Sequence, residues 1–359
     1  GKEPLPAILD ASNCSVVDLS GRDLTALKKP LKLKKDSTLI YSSVSSRGMH
    51  TNTNPLVPQN LDVSPCKEVN LSGCDLSQAS KMKFAKGAAV DLSGCINIPE
   101  KIDLSQCNEV NLSGCDLSQI KNLKFKDGAV VNLSGCTNIP ENLDLSRCKS
   151  VTLNRVNPFP TGLDISQCAN INLSECDLSQ IKNLKFKDDA AVTLADCTNI
   201  PADLDISNCR YVNLHNTSLM NIPELKFKDG ASVDLSDCQS LPQKMALDKC
   251  AAVNLSGNNL MFCTDIKFKD GAEVDMSHCE NIPSDIDFST CAKLNLKRAD
   301  LDSGLIDAEE RTLRFREGAE VNLRQTKNVP SNVDFTPCSK LNLGSLDLAN
   351  QPHIAFKDN

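Results

Sequence analysis

Apolar and polar residues alternate in short segments that recur about every 20 residues along the chain. Strings such as Val-Asn-Leu-Ser at Val110–Ser113 place two apolar side chains on one face of an extended segment and two polar side chains on the other. Each repeat unit holds two such segments, and the second always starts eight residues after the first. The pattern therefore predicts two short β-strands in every repeat.

Seven of the seventeen prolines show the length of the repeat, because they recur in two series at a spacing of 41 residues. They are Pro58, Pro99 and Pro140, and then Pro160, Pro201, Pro242 and Pro283. The half-step between Pro140 and Pro160 indicates a unit of about 20 or 21 residues in two alternating forms. One unit cannot bury its apolar face alone, but stacked units can. We expect a single solenoid of about 16 coils over residues 1–359, with loop insertions near 45–55 and 302–310.

Two inward columns describe the predicted core. Five residues after the start of the second strand the column is mostly Cys, with Thr217 and Asn258 as variants, which predicts a small buried position next to backbone groups that need hydrogen bonds. Nine of the eleven Phe residues share another column, in the first segment. The eighteen cysteines include no Cys-x-x-Cys spacing, so we expect reduced, buried thiols.

An outward column of the first segment alternates in charge from coil to coil. Asp10 is followed by Lys32, Asp62, Lys83, Asp103 and Lys124, and the alternation breaks at Asp144 and Asp164. If the coils stack in register, these residues are cross-strand neighbours, and we expect ion pairs between them.

The strings Val110–Cys115 and Val131–Cys136 resemble the core motif of leucine-rich repeats, with Cys at the position that is usually Asn. Ile-Pro follows this position, as at Ile98-Pro99, which is similar to the short repeats of bacterial members. The resemblance implies a curved, right-handed superhelix of the β/α type, here mostly β with two parallel strands per coil. Cys107 and Gly128 stand where the family has Leu, which keeps a β-helix-like solenoid as an alternative. The Val-Asn-Leu-Ser strand is expected on the concave side.

Composition and charge exclude several classes of function. The formal net charge is -7 and aromatic residues make up only 4%, which argues against nucleic-acid binding and against binding to anionic membranes. No apolar run approaches the roughly 18 residues that a membrane helix needs, so we expect no membrane insertion.

No standard catalytic or cofactor motif occurs in the chain, and the four histidines are far apart in sequence. The aspartates sit at periodic outward positions, which the stacking of the repeats explains. We expect no enzymatic activity, no cofactor and no metal site.

Departures from the repeat consensus indicate where a partner could bind. The two residues that follow Leu in the second strand are usually Ser-Gly, and in several coils basic or larger polar residues replace them. Basic and aromatic residues also replace small or acidic residues at the start of this strand, as at Arg210-Tyr211 and Lys293. Tyr and Arg are favoured anchors of protein interfaces. The predicted partner-binding residues are Arg155, Arg210, Tyr211, His215, Asn216, His278, Lys293, Lys297, Arg298 and Arg324.

The resemblance implies a noncatalytic scaffold that binds a protein partner on its concave face, such as a secreted bacterial effector. A surface adhesin or structural spacer is one alternative, and the substrate-targeting arm of a larger enzyme such as a ubiquitin ligase is another. The thiols and the recurring Asn-x-Ser sequons favour a cytosol, bacterial or that of a host cell, with the extracellular surface as the alternative. The sequence leaves the partner and the oligomeric state open.

Overall fold

The computed structural model describes residues 5–43, 54–181, 184–301, 313–330, 332–346 and 353–355. They form a parallel β-solenoid of about 15 turns with almost no helix, which confirms the predicted solenoid class. The chain divides into two compact units, unit 1 (Gly1–Ile181) and unit 2 (Lys182–Asn359). The predicted loop insertions fall almost entirely on residues 44–53 and 302–312, outside the described residues, and the single 1–359 solenoid stays a prediction.

In unit 1, eight parallel strands form the main sheet in the order β2-β4-β5-β6-β7-β8-β9-β10, and β1 pairs with β3. The strands are β1 (Asp10–Ala11), β2 (Val16–Asp18), β3 (Lys32–Leu33), β4 (Thr38–Ile40), β5 (Glu68–Asn70), β6 (Ala89–Asp91), β7 (Glu109–Asn111), β8 (Val130–Asn132), β9 (Ser150–Thr152) and β10 (Asn170–Asn172).

In unit 2, the main sheet again has eight parallel strands, in the order β11-β12-β14-β16-β17-β18-β19-β21, and two pairs lie outside it, β13 with β15 and β20 with β22. A 3-10 helix covers Leu247–Lys249. The strands are β11 (Ala191–Thr193), β12 (Tyr211–Asn213), β13 (Glu224–Leu225), β14 (Ser232–Asp234), β15 (Lys244–Met245), β16 (Ala252–Asn254), β17 (Glu273–Asp275), β18 (Lys293–Asn295), β19 (Glu320–Asn322), β20 (Asn332–Asp334), β21 (Lys340–Asn342) and β22 (His353–Ala355).

The strands of each main sheet stack in the register that the repeat predicts. Val110 of β7 lies between Val90 of β6 and Val131 of β8, and all three are buried. Leu112, one pleat further on, is fully buried, while Asn111 between them faces outward and is half-buried. The alternation of Val-Asn-Leu therefore produces an apolar inner face and a polar outer face, as the period of two requires.

The first segment of each coil forms shorter strands than the sequence predicted. Among the described residues it pairs as named strands at β1–β3, β13–β15 and β20–β22, and the pair Asp144–Asp164 adds an isolated bridge. The chain turns soon after the outward Asp of this segment, since the Asp103 side chain accepts a hydrogen bond from the backbone N–H of Ser105 at 3.0 Å. The main strand ends in the same Asx turn, as at Asn111 with the Ser113 N–H at 3.1 Å, so the turn ends both segments and does not by itself account for the shorter first strands.

Among the described residues, the alternating Asp/Lys column forms one of the predicted ion pairs, while Lys226 and Lys267 pair with Glu224 and Asp265 of their own coils, and it also has a feature that was not predicted. Asp10 and Lys32 are paired in register, and their charged atoms lie 3.4 Å apart. The aspartates of this column share an Asx turn to the residue two positions on, as in Asp205 to the Ser207 N–H at 3.0 Å. The Ser207 hydroxyl also donates to Asp205 at 2.7 Å, and these hydrogen bonds lower the pKa of the Asp205 carboxyl. Many of the periodic aspartates therefore stabilise the turns that follow the first segments.

The cysteine column donates hydrogen bonds to backbone carbonyls of the preceding coil, which confirms the predicted role of this position. Burial keeps these thiols protonated, raising the pKa of Cys136 to about 11 and that of Cys115 to about 12, and all eighteen cysteines are free. The donor pairs include Cys115 Sγ to Leu92 O at 3.2 Å, Cys136 Sγ to Leu112 O at 3.0 Å, Cys279 Sγ to Leu255 O at 2.9 Å, Asn258 Nδ2 to Leu235 O at 2.8 Å and Thr326 Oγ1 to Leu296 O at 2.7 Å.

The phenylalanine column packs inside unit 2 as predicted. The rings of Phe268 and Phe288 stack with centroids 6.3 Å apart, and those of Phe315 and Phe335 stack at 5.5 Å. All four side chains are buried. Stacked aromatic pairs at these separations stabilise the core beyond the burial of their area.

Candidate protein-binding face

The outer face of each main sheet forms an elongated groove. In unit 2 the groove has a volume of about 650 Å³ and crosses the strands from β12 to β21. In unit 1 a groove of about 510 Å³ crosses β4 to β8. Both lie on the Val-Asn-Leu-Ser strand, the side that the sequence analysis expected to be concave.

The floor of the unit 2 groove includes strands whose first residues are small. Ser232 and Ala252 open β14 and β16, and Tyr211 opens the neighbouring β12. Tyr211 is half-buried, and its side chain lines the groove together with Val233 and Val253. The arrangement puts an aromatic ring at one end of a shallow surface with exposed apolar atoms, which is a suitable place for a side chain of a partner.

The other end of the groove is charged, and its charges are already paired. The Lys293 ammonium donates to the Glu273 carboxylate at 2.6 Å, and Lys340 lies 3.5 Å from Glu320. The hydrogen bond and the charge of Glu273 raise the pKa of Lys293. Lys293, a predicted partner-binding residue, therefore lines the groove, but its ammonium group is already paired with Glu273 on the neighbouring strand.

The Asn/Asp stripe along the middle of the groove is a structural ladder. The Asn254 amide donates to Asp234 at 3.0 Å, and the Asn295 amide donates to Asp275 at 2.9 Å. The oxygens of the same column accept the backbone N–H two residues on, as Asn254 does from Ser256 at 3.0 Å. The side chains of the stripe therefore hold neighbouring strands and the turns that follow them.

Four predicted residues lie on the coil of β12. Arg210 is exposed and precedes Tyr211 directly. His215 Nδ1 is 2.9 Å from the Ser236 hydroxyl and 3.7 Å from the Asp237 carboxylate, and the Asn216 amide donates to Asp196 at 2.8 Å.

Four more predicted residues come together at the corner that follows β17, β18 and β19. The backbone N–H of His278 donates to the carbonyl of Lys297 at 2.9 Å, and that of Arg298 donates to the carbonyl of Arg324 at 2.9 Å. These bonds place the four residues on three successive rungs. We name this cluster of His278, Lys297, Arg298 and Arg324 the basic corner. It is three rungs from β12 in the sheet order, about 14 Å.

Arg155, another predicted partner-binding residue, lies in unit 1. Its guanidinium Nε is 2.8 Å from the Glu175 carboxylate on the next coil, and this hydrogen bond and charge raise the pKa of Arg155. An exposed pair of this kind explains the residue without a partner.

The corner position that follows Leu and Ser has a left-handed backbone. Gly fills it in coils such as that of Gly114 (φ 71°), whereas Asn216 (φ 52°), His278 (φ 61°) and Arg298 (φ 57°) replace Gly elsewhere. A side chain in this region costs about 1 kcal/mol or more compared with Gly. The sequence analysis noticed the substitutions but not this backbone requirement.

Sequence reasoning missed several residues of the outer face. Glu273 and Glu320 alternate along the groove with Lys293 and Lys340, and comparing the first strand residue from coil to coil would have found the two glutamates. It also missed Met220 and Phe262, which are 74% and 80% exposed where unit 1 has Ser and Gln.

Within the described residues, no group of three or more His, Cys, Asp or Glu side chains is arranged to hold a metal ion. The described part of the chain also contains no helix with the length and apolar character to cross a membrane. In comparisons with known proteins, no family model matches the chain, and no curated protein matches it.

Proposed function

We propose that this chain is a noncatalytic recognition scaffold that binds a protein partner on the outer face of the main sheet in unit 2. The groove from β12 to β21 is the observation that carries the proposal. Its floor is a hydrogen-bonded sheet of fixed register, so a partner meets a surface that is already organised, and little entropy is lost on binding. Tyr211 beside the small residues Ser232 and Ala252 is the part of this surface that we expect to hold a side chain of the partner.

The shape of the groove favours a macromolecule over a small substrate. It extends over seven strands, and many of its polar groups are held by neighbouring rungs, as in the pairs Lys293–Glu273 and Asn295–Asp275. Small-molecule sites instead enclose most of the ligand and present a few free polar groups to it. A protein segment laid across the rungs can use the length of the face.

We infer that the repeats are of the leucine-rich type. The support is the motif at Val110–Cys115, together with the side-chain donors that bond to backbone carbonyls of the preceding coil, such as Cys115 to Leu92. The family resemblance then favours a bacterial recognition protein, including an effector secreted into a host cell. Eighteen free cysteines support a reducing cytosol as the compartment.

The test is site-specific photocrosslinking in lysates of candidate host or bacterial cells. A photoreactive residue at Ser232, on the floor of the unit 2 groove, should give a discrete crosslinked protein, and Tyr211→Ala should weaken that product about tenfold or more. The matched control places the probe at Ala89, in the unit 1 groove. Equal crosslinking from both positions, or a product that is insensitive to Tyr211→Ala, would contradict the proposed function.

A further inference from the structure

Three successive corners of unit 2 depart from the repeat in the same chemical direction. Most corners of unit 1 use Ser-Gly, as at Ser113-Gly114, and Ser256-Gly257 does so in unit 2. The next three corners carry Ser277-His278, Lys297-Arg298 and Arg324-Gln325. Basic side chains therefore accumulate at one end of a chain whose formal net charge is -7.

The register stacks these cations next to each other. Asn295 of β18 pairs with Asn322 of β19, so Lys297 and Arg324, each two residues further on, lie on adjacent rungs about 4.8 Å apart. Like charges on neighbouring strands repel and destabilise the sheet. The basic corner is therefore an unfavourable arrangement in the protein by itself, and an anion bound there would relieve the repulsion.

In the described part of the chain, the cations of the basic corner lack the carboxylate partner that several lysines of unit 2 have. Lys267, Lys293 and Lys340 each have a carboxylate oxygen within 3.5 Å. Across the residues that the structure describes, Lys297, Arg298 and Arg324 form no ion pair. The guanidinium of Arg298 donates instead to the neutral amide oxygen of Gln325 at 2.8 Å.

The backbone of the corner also works against these residues. Arg298 and His278 occupy the left-handed position that Gly fills at Gly257, and both are exposed. No buried area offsets that strain. Other corners place non-Gly residues in the same left-handed position, as at Arg155 and Asp196, so the stacked like charges of Lys297 and Arg324 are the observation that indicates an interaction outside the chain.

We propose that the basic corner of His278, Lys297, Arg298 and Arg324 binds an acidic segment of the protein partner. This inference rests on the proposed function and assigns the partner its charge. Arg298 and Arg324 present planar guanidinium groups that match carboxylates in two-point contacts, and Lys297 adds a charge one rung away. Two or three carboxylates of a peptide fit within the roughly 10 Å that three rungs span.

The surroundings of the basic corner favour an acidic peptide over nucleic acid or membrane. Glu273, Asp275 and Glu320 lie on the same strands and line the adjoining groove. A phosphate backbone or an anionic bilayer needs a basic surface that continues well beyond three rungs, and these carboxylates interrupt it. A peptide whose acidic residues are clustered over one short stretch meets the cations and avoids the carboxylates.

The variant that tests the proposal restores the consensus of the repeat, with Lys297→Ser, Arg298→Gly and Arg324→Ser together. The same residues occupy the same backbone positions at other corners, so we expect the variant to fold and to unfold at the same or a higher urea concentration than wild type. The matched control is Lys226→Ser, Lys267→Ser and Lys269→Ser. It removes the same number of positive charges from unit 2, but these lysines lie outside the groove and each has a carboxylate partner.

The probe is a fluorescent decapeptide of alternating Glu and Ser, and the readout is anisotropy with the full chain in 25 mM and 300 mM NaCl. We expect wild type to bind it at low salt, with weaker binding at high salt. The consensus variant should bind about tenfold or more weakly, whereas the control triple variant should stay within about twofold of wild type. A decapeptide with Gln in place of Glu should not bind.

Other outcomes overturn the proposal. They are no binding of the Glu peptide by wild type, an equal affinity of the consensus variant, or an equal loss in the control variant. Tighter binding of a twelve-nucleotide RNA or of phosphatidylserine vesicles, lost in the consensus variant, would assign the corner to a different class of partner and would also overturn it.

The same variant separates this inference from the proposed function. If the Ser232 crosslink to the partner persists and depends on Tyr211, but the Glu peptide does not bind, the acidic character of the partner is wrong while the scaffold function stands. If the Glu peptide binds at the basic corner but no crosslink depends on Tyr211, the proposed groove is wrong while the charge assignment stands.

Discussion

At the scale of single residues, the solenoid depends on side chains that hold backbone groups. The thiol of Cys136 donates to the carbonyl of Leu112 at 3.0 Å, and the Asp205 carboxylate accepts the N–H of Ser207 at 3.0 Å. Sequence analysis predicted the first kind of contact, because a column that accepts Cys, Thr and Asn has hydrogen bonding as its common chemistry. It missed the second, because an outward Asp that forms a turn looks the same in one dimension as an outward Asp that meets solvent.

The thiol donor leads to a stability prediction. Cys136→Val keeps an apolar side chain but removes the thiol donor to the buried Leu112 carbonyl, which then keeps the backbone N–H of Cys115 at 3.1 Å, so we expect it to lower the free energy of unfolding by about 1 kcal/mol or less. Cys136→Thr keeps a donor, as Thr326 does in the same column, and should be the more stable variant. Urea unfolding at pH 7 under reducing conditions measures both. A Val variant as stable as the Thr variant would show that the hydrogen bond does not matter.

The Asx turns predict an acid-dependent loss of stability. Hydrogen bonds from Ser105, Ser207 and Ser289 lower the pKa values of Asp103, Asp205 and Asp287 in the folded state. A folded pKa below the unfolded one gives stability that is complete above the unfolded value of about 4 and is lost as pH falls through the folded pKa.

We therefore expect the urea concentration at the unfolding midpoint of wild type to decrease as the pH is lowered below about 4. The triple variant Asp103→Asn, Asp205→Asn and Asp287→Asn keeps the acceptor oxygen and removes the titration, so its midpoint should fall less steeply. Urea titrations from pH 7 to pH 2.5 make the comparison. A slope for the variant as steep as that of wild type would assign the acid sensitivity to other groups.

At the scale of the element, sequence analysis described the main strand correctly and the first segment only in part. Val-Asn-Leu-Ser at Val110–Ser113 and Leu-Asp-Leu-Ser at Leu143–Ser146 have the same alternation, so a period of two cannot distinguish them. The structure pairs the former along the whole main sheet of unit 1 and gives the latter an isolated bridge between Asp144 and Asp164. Both segments end in the same Asx turn, from Asn111 to the Ser113 N–H and from Asp144 to the Ser146 N–H, so neither the turn nor the hydrophobic period shows which segment pairs between coils.

Ion pairs that skip a coil are another feature of the elements that sequence analysis missed. Lys269 reaches Asp229 at 2.7 Å, and Arg316 reaches Asp270 at 2.7 Å, in each case across an intervening coil. Sequence analysis compared each column only between neighbouring coils. A Lys or Arg side chain is long enough to reach two coils along the stack, but the sequence does not show in which direction the side chain extends.

The corner glycines predict a ranking of substitutions. A Cβ at Gly114 would meet no atom within 4 Å, so Gly114→Ala should lower the free energy of unfolding only through its positive φ of 71°, by about 1 kcal/mol. A Cβ at Gly73 would also overlap the Ser43 hydroxyl, so Gly73→Ala should be the more destabilising change. Urea unfolding of both variants gives the comparison, and the reverse order would contradict the described corner.

At the scale of the whole molecule, repetition itself made the architecture predictable. Residues about 20 apart occupy equivalent positions in both units, as Val110 and Val131 do in unit 1 and Val253 and Val274 do in unit 2. A fold in which each coil contacts its neighbours can be predicted from the length of the repeat and from the residue types at equivalent positions of successive repeats. The partner cannot be read in the same way, because recognition depends on departures from the repeat, and a departure such as Arg155 can equally be an internal pair with Glu175.

Stacking of this kind predicts that damage stays local. Leu112→Ala removes a fully buried side chain of unit 1 and should lower local stability by about 2–5 kcal/mol. Because each coil is stabilised mainly by its neighbours, amide hydrogen exchange should accelerate most in β6, β7 and β8. Strands β17 to β19 of unit 2 should change far less. Equal acceleration in both units would show that the chain unfolds as one cooperative body.

The structure of the protein bound to the partner captured from Ser232 tests the central claim most directly. The account predicts that atoms of the partner contact Tyr211, Ser232 and Ala252 on the outer face of unit 2, with acidic side chains against Lys297 and Arg324. A partner seated on the side of the first segments, or on unit 1 alone, would contradict it.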